Sequence, residues 1–485
     1  MPMERRARRV VNQGKKAPGV CADGPLKGYA RLHWIHTAAQ RKPGERMRNL
    51  MHHFNRTNLR RAFRTLDGSK ASGIDHVTKY DYQQNLEPNL QALEQSLRGG
   101  GWRPKPAREV LIPKPQGGMR PLAVGCLEDK VVQTLAARIL EAIYEPTFHR
   151  HSYGFRRGKS AHQALARAYE VIAKRKHRCT VVEMDIEKFF DSVDHDWLVR
   201  TIEERIADPH FVRLIRRMLR NSVLHEDGTM AEKLSGTPQG SPASPVLANI
   251  CLHILLDDWF QKNWARKGEF VRYADDAVFV FSDEEDAHAF QQALVARMAE
   301  AGLRLNLDKT RIVPFSAHAP KGTITLLGFE LYWGVKRGLG KLLKVKTIPK
   351  RLARAMQNFT EWIKSVRNRK TTATIWKEAA TKLVGHYNYY GVTSNEAKLS
   401  HFYWSCVGAL YRWLNRRSQR HSYNWEAFKR RLRFSPLPRP PCGEELLDIS
   451  SSEHGAVRKR NTKSRMRETC KSGSVRSAGL KPAFT

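Results

Sequence analysis

The sequence predicts an α+β protein: helices and antiparallel hairpins up to about residue 340, then a basic, all-helical part. Three observations predict it. Glu269 to Phe281 reads apolar, then two adjacent carboxylates, then apolar again, as two strands of one hairpin with Asp275 and Asp276 in or beside its turn. Thr180 to Ile186 reads as a buried strand with Asp185 near its end. From Lys344 apolar residues recur three and four apart in long stripes flanked by cations.

Two carboxylates at a hairpin tip repel each other unless a cation lies between or beside them. A hard, oxygen-loving ion such as Mg2+ suits them; the plain alternative is a polar turn with no task. An aspartate inside an apolar strand is costly unless paired or bound to metal. With this strand beside the hairpin, Asp185 and Asp275 can hold two metal ions between them. That apparatus serves in-line nucleotidyl transfer: one ion activates a 3′-hydroxyl and the other steadies the leaving pyrophosphate.

The 485 residues are 41% hydrophobic, enough for a packed core. Lys and Arg number 85 against 47 acidic residues, a formal charge of +38 and a pI near 10.2. Such an excess points to a polyanion, and nucleic acid is the obvious one. No apolar run approaches the roughly 18 residues of a membrane span, and the basic N-terminus is not followed by an apolar signal segment. The seven cysteines are scattered with no Cys-x-x-Cys pair, which argues against a zinc site or disulfide framework and for a reducing cytoplasm.

Tyr273-Ala-Asp-Asp276 together with Asp185-Ile-Glu-Lys-Phe-Phe190 resembles the catalytic pair of a reverse transcriptase. More closely, the chain resembles a bacterial group II intron-encoded reverse transcriptase and maturase, from about Phe54 to about Pro440, with motifs in the family's order. The resemblance implies a right-hand polymerase. Fingers and an antiparallel palm sheet would occupy 46–340, a helical thumb or maturase domain 341–420, and a short basic tail 421–485. It implies Asp185, Asp275 and Asp276 as catalytic residues, with two Mg2+ ions on Asp185, Ile186 and Asp275.

In chain order, residues 1–45 read as a flexible basic arm. A helical pattern starts at Arg46 (Met47, Leu50, Met51, Phe54) and continues through Leu59, Ala62, Phe63 and Leu66; Tyr82 to Leu97 is a further helix. Arg108 to Leu122 reads as a hairpin turning at Gly117-Gly118. Lys114 and Arg120 on its arms can grip a triphosphate, as the family's fingers hairpin does. Asp129 to Tyr144 is an amphipathic core helix. In Ser152 to His162, which resembles the family's second motif, Ser160 caps a helix. There Gly154 and Gly158 permit close approach to a nucleic-acid strand, and Arg156 and Arg157 are candidate phosphate contacts.

The resemblance places the Phe190 ring against the sugar of the bound nucleotide, where it would clash with a ribose 2′-hydroxyl; Asp191 and Asp194 read as surface or capping residues. In Gly236 to Asn249, Ser244 and Pro245 open a helix running through Trp259, and Gln239 can bond the sugar or template edge. Ala287 to Ala301 is a helix, and Lys309 beyond it can approach primer or triphosphate, although a plain surface lysine reads almost as well. Leu326 to Phe329 looks like the strand that grips the primer end, with Gly328 and Tyr273 against nucleic acid.

Three stripes (Leu352, Met356, Phe359, Ile363; Trp376, Ala379, Leu383, Tyr387; Tyr403, Val407, Leu410, Leu414) predict thumb helices. Arg351, Arg354, Arg412 and Arg416 lie outside the stripes, toward a duplex. Gly385 to Gly391 resembles the maturase region. Trp425 to Pro441 reads as a short helix with a proline-rich exit. Beyond Cys442 the composition suggests no fixed fold, a candidate DNA-binding tail and no endonuclease domain.

The implied partners are a group II intron RNA, a DNA target and primer, and deoxynucleoside triphosphates, bound by a cytoplasmic monomer or dimer without a membrane. Two rivals stand beside this reading. One is a splicing cofactor with an idle polymerase; the other is an intron-less relative working in DNA repair or phage defence.

Overall fold

The computed structural model describes residues 30–113, 118–318, 322–336, 338, 340–417, 423–443 and 446–449. The chain forms two compact units, 1–358 and 359–485. The strands of the first are β1 (Ala107–Pro113), β2 (Met119–Val124), β3 (Thr180–Met184), β4 (Val223–Leu224), β5 (Met230–Ala231), β6 (Gly268–Tyr273), β7 (Asp276–Phe281), β8 (Arg311–Pro314), β9 (Ile324–Leu326), β10 (Phe329–Lys336) and β11 (Gly340–Thr347).

They make three sheets, ordered β2-β1-β4-β5, β6-β7-β3-β8 and β11-β10-β9. The middle one is antiparallel throughout and carries the acidic residues. The expected neighbouring of the hairpin and the Asp185 strand is what forms: Met184 faces Ala277, so Asp185 emerges one residue beyond, level with Asp276. Residues 277–281 of β7 are buried throughout, because helices cover the sheet. Phe290 of helix Glu284–Ala299 lies 4.5 Å from the Phe279 ring and 5.2 Å from Phe281. Each such ring contributes about 1.5–3 kcal/mol by leaving water, which pins the register.

Helix Leu127–Tyr144 is buried on nearly every side, more than an amphipathic stripe implies. Its Asp129 is 2% exposed and accepts the Lys105 amide at 3.1 Å.

Several expectations are corrected. The segment read as an unstructured arm contains helix Ala30–Arg41, which buries Leu32, Ile35 and Ala39. Met47 to Phe54 is not a helix: Met47 pairs with Ile206 in a parallel bridge and only Met51–His53 makes a 3-10 turn. The buried Asp208 carboxylate decides this by accepting the Leu50 and Met51 amides at 2.6 and 3.2 Å. The stretch Tyr82 to Leu97 is split at Asn85 into Lys79–Gln84 and Leu86–Arg98.

Ser244 is the first helical residue and not the cap; its hydroxyl donates to the Pro238 carbonyl at 2.8 Å. The helix it opens passes through a π-helical turn, His253–Asp257, on the way to Trp259. Leu326 ends β9, and Leu327-Gly328 form a tight turn, both with positive φ (55° and 82°), before Phe329 starts β10. The first helix of the basic part starts at Pro349, after β11.

The second unit contains helices Thr372–Tyr390, Glu396–Leu414 and Trp425–Phe434. Contrary to the expectation beyond Cys442, residues 446–449 are held: Leu447 bridges Val392, and Leu446 and Ile449 are buried. No described helix is long and apolar enough to cross a membrane.

Candidate active site

Tyr273 pairs with Asp276, so Ala274 and Asp275 alone make the turn of the β6–β7 hairpin. Ala274 sits at φ 58°, a left-handed conformation that costs a non-glycine residue about 1–2 kcal/mol. What holds it is Arg272, which the sequence reading did not single out. Its side chain is fully buried and forks onto Asp257 at 2.7 and 2.5 Å. It also donates to Asn249 Oδ1 at 3.2 Å and to the Ala274 carbonyl at 3.0 Å.

From the other side Gly154 lies so close that a Cβ would overlap the Ala274 amide nitrogen. Its carbonyl accepts Asn249 Nδ2 at 2.7 Å. The close approach that Gly154 permits in this structure is to the acidic turn.

Lys309 Nζ lies 3.1 Å from Asp185 Oδ2. Burial first, then the charge of Asp185, raises the Asp275 carboxyl above its ordinary range, so the two acids sense each other. Burial pushes Asp276 up to about 6, and its carboxylate accepts the Leu327 amide at 3.0 Å. Asp276 thus anchors the β9–β10 turn to the acidic hairpin. Ile186 bridges Leu305 through hydrogen bonds that use the carbonyls of Asp185 and Arg304. Strand alternation turns Ile186's own carbonyl toward the β7 side.

These groups fit a divalent cation. Two opposed acids, one held by an ammonium ion, are short of positive charge. Among the described residues no three His, Cys, Asp or Glu side chains close into a cage. An open set of one or two carboxylates, completed by substrate phosphates, is the manner in which Mg2+ is usually bound.

Around the acids the nucleotide residues gather only in part. Arg120, on β2, is near enough to lower the Asp275 carboxyl, against the larger effect of burial; Lys114 lies outside the described residues. Gln239 donates to Asp191 at 2.9 Å, and Lys233 pairs with the same carboxylate at 3.2 Å. Asp191, read as a surface residue, therefore orients Gln239. The Gln239 carbonyl accepts the Ala123 amide at 2.8 Å, tying this loop to β2. Phe190 meets Phe189 at 5.3 Å and, edge-on, Phe155 at 6.4 Å. Phe155 escaped the sequence reading too. It is 51% exposed at φ 56°, an exposed ring held in a sparse conformation beside Phe190.

Of the proposed nucleic-acid contacts, Arg156 has an internal task. Its guanidinium forks onto Glu145 (2.8 and 3.0 Å) and donates to the carbonyls of His149 and Ser152. With 6% of its side chain exposed, it braces its loop and is not free for phosphate. Arg157 is half-exposed, 3.4 Å from Glu141. Tyr273 is half-buried at the end of β6. Gly328 supplies the positive φ of its turn. Arg351 is exposed and Arg354 half-buried on Pro349–Val366. In the second unit Arg412 and Arg416 are exposed. Arg416, Arg367 and Lys364 lie 5.0, 4.7 and 4.9 Å from the Trp413 ring, a cationic cluster around one indole.

Sheet order, acidic hairpin and neighbouring aspartate make an arrangement suited to metal-assisted nucleotidyl transfer. Residues 112–331 match the family model of reverse transcriptases, described as RNA-dependent DNA polymerases. Escherichia coli protein YkfC is 31% identical over 348 residues, covering 64% of this chain and 85% of YkfC. The chain belongs to the reverse transcriptase family, and its reaction is RNA-directed DNA polymerisation. Reverse transcriptases use divalent cations and bind nucleic acid. The group II intron-encoded protein LtrA of Lactococcus lactis is 38% identical over 40% of this chain and 32% of its own length. A 91 kDa protein in the cob intron of Schizosaccharomyces pombe is 39% identical over 42% and 23% respectively. The chain thus spans a third or less of these two.

Proposed function

We propose that the protein copies intron RNA into DNA using two Mg2+ ions at Asp185, Asp275 and the Ile186 carbonyl. It also binds that RNA, in the cytoplasm, to assist splicing and retrohoming into a DNA target. The observation that carries the catalytic part is the placement of Asp185 and Asp275 within electrostatic reach of each other at the tip of one sheet. The ions supply Lewis-acid charge to the reacting oxygens.

The chain's own residues do the rest. Arg120, with Lys114, takes the triphosphate of the incoming deoxynucleotide. Phe190, buttressed by Phe155, closes the space a 2′-hydroxyl would need. Gln239, held by Asp191, reads the sugar or template edge. Lys309 leaves Asp185 for the triphosphate, freeing that carboxylate as positive charge arrives. The 3′-oxygen of the primer then attacks the α-phosphorus, its proton passes to solvent, and pyrophosphate departs.

Two features support the maturase part: the resemblance of residues 385–391 and the cations around Trp413. Such a surface grips folded RNA through phosphates and stacking. Splicing of the cognate intron at low Mg2+, with and without purified protein, tests it. No acceleration together with intact polymerase activity would favour the intron-less repair or defence reading.

A further inference from the structure

Outside the polymerase site, a cavity of about 660 Å³ opens between the end of helix Leu127–Tyr144, the chain at Arg205, and the π-turn and the helix after it. It shares none of the acidic, nucleotide or nucleic-acid residues assigned above. Three polar groups that line it are buried without a hydrogen-bond partner: the whole guanidinium of Arg205, the hydroxyl of Tyr144 and Nδ1 of His253. Tyr144 is 1% exposed and His253 4%.

His253 Nδ1 stands 3.6 Å from Asp258 and 3.8 Å from Asp257, beyond hydrogen-bonding reach. Lys262 adds a donor at the wall, whereas the Asn263 amide nitrogen already donates to the Trp259 carbonyl at 2.8 Å. The other charged linings are Glu204 and Asp258, both reaching solvent, and Arg297. Arg297 is committed to the carbonyls of Ile254 and Leu255 and to Glu300.

Arginine keeps its charge, so a buried, unpaired guanidinium cannot escape its cost by losing a proton. Unsatisfied buried groups in native proteins call for an explanation. A π-turn, itself often found at functional sites, lies along the wall. The donors at the floor outnumber the acceptors, and a tetrahedral oxyanion can accept from several directions at once, including bidentately from a guanidinium.

We propose that this cavity is a second, phosphate-binding site, with Arg205 and Tyr144 as its floor and Lys262 at its mouth. Its volume exceeds a single anion and suits a nucleotide-sized group. The phosphate belongs either to a free phosphate compound or to the backbone of bound RNA.

The test is thermal unfolding of the full chain in EDTA, which keeps metal out of the polymerase site. Wild type, Arg205→Met, Tyr144→Phe and Lys262→Ala are compared in potassium phosphate, in potassium chloride of equal ionic strength, and with a short single-stranded RNA. The wild type should gain about 3 °C or more in phosphate over chloride. Arg205→Met should lose that gain while being no less stable in chloride, because it removes an uncompensated charge. A gain that depends on Arg205 with phosphate alone assigns a free phosphate compound; one seen only with RNA assigns the backbone.

Equal gains in wild type and all three variants would overturn the proposal, since the general basic surface would then account for them. No gain in either ligand would overturn it as well. Should Arg205→Met fail to fold, Tyr144→Phe and Lys262→Ala decide by the same comparison. Asp275→Ala must leave the phosphate gain unchanged, which separates this site from the polymerase centre.

Discussion

Replacing Arg272 with methionine removes the fork that joins the acidic turn to the protein interior. Arg272 and Asp257 both have fully buried side chains, so the change strands the Asp257 carboxylate without its partner. Breaking a buried pair from one side costs about 3–5 kcal/mol. That is a large share of the roughly 5–15 kcal/mol that keeps a protein folded. Scanning fluorimetry should show the unfolding temperature of Arg272→Met lowered by on the order of 10 °C. Asp257→Leu added to Arg272→Met should restore much of it, because no charge is then left alone.

Activity should not return with stability. The Ala274 carbonyl loses its donor at 3.0 Å, and a turn shifted by about 1 Å can cost about a hundredfold in rate. Arg272→Met with wild-type unfolding temperature and full primer extension would refute the claim that this pair sets the turn.

Further outcomes follow from other contacts. Burial pushes the Asp129 carboxyl from 3.8 to about 7. The folded state therefore holds this proton more tightly than the unfolded chain. The resulting stability is fully present below about pH 4 and lost as pH rises through about 7. Asp129→Asn should thus stabilise the protein at pH 8 by up to about 4 kcal/mol, with no gain below about pH 4, as read by denaturation at both pH values. Gly154→Ala should depress nucleotide incorporation by about tenfold or more, because its Cβ must displace the Ala274 backbone. Phe190→Ala should reduce the preference for deoxy- over ribonucleotides, in kcat/KM, by about tenfold or more, and Phe155→Ala by less; unchanged preference in both would remove the aromatic pair from sugar selection.

What the sequence disclosed followed physical range. The β6–β7 hairpin and β3 were legible because alternation and β-branched runs are local signals and an aspartate in an apolar strand stands out. Ser160 was legible as a cap, and its capping box with Gln163 is formed. Helix Ala30–Arg41 was hidden because it shows a short apolar face amid basic residues. The non-helical path of Met47 to Phe54 depends on Asp208, some 158 residues away, which no local pattern reveals. Arg272 gave no signal of its own, because its partner Asp257 lies in another element. Asp276 read as a support for the two ligand acids, but its partner, the Leu327 amide 51 residues on, gives no local signal. Arg156 read as a free cation, because Glu145 gives no periodic signal of pairing with it.

The most direct measurement is primer extension on an RNA template with Mg2+ and deoxynucleotides, comparing wild type with Asp275→Ala. Wild type should extend the primer and Asp275→Ala should not, while both bind the template equally. Equal extension by the two proteins would contradict the assignment of nucleotidyl transfer to the acids at this turn.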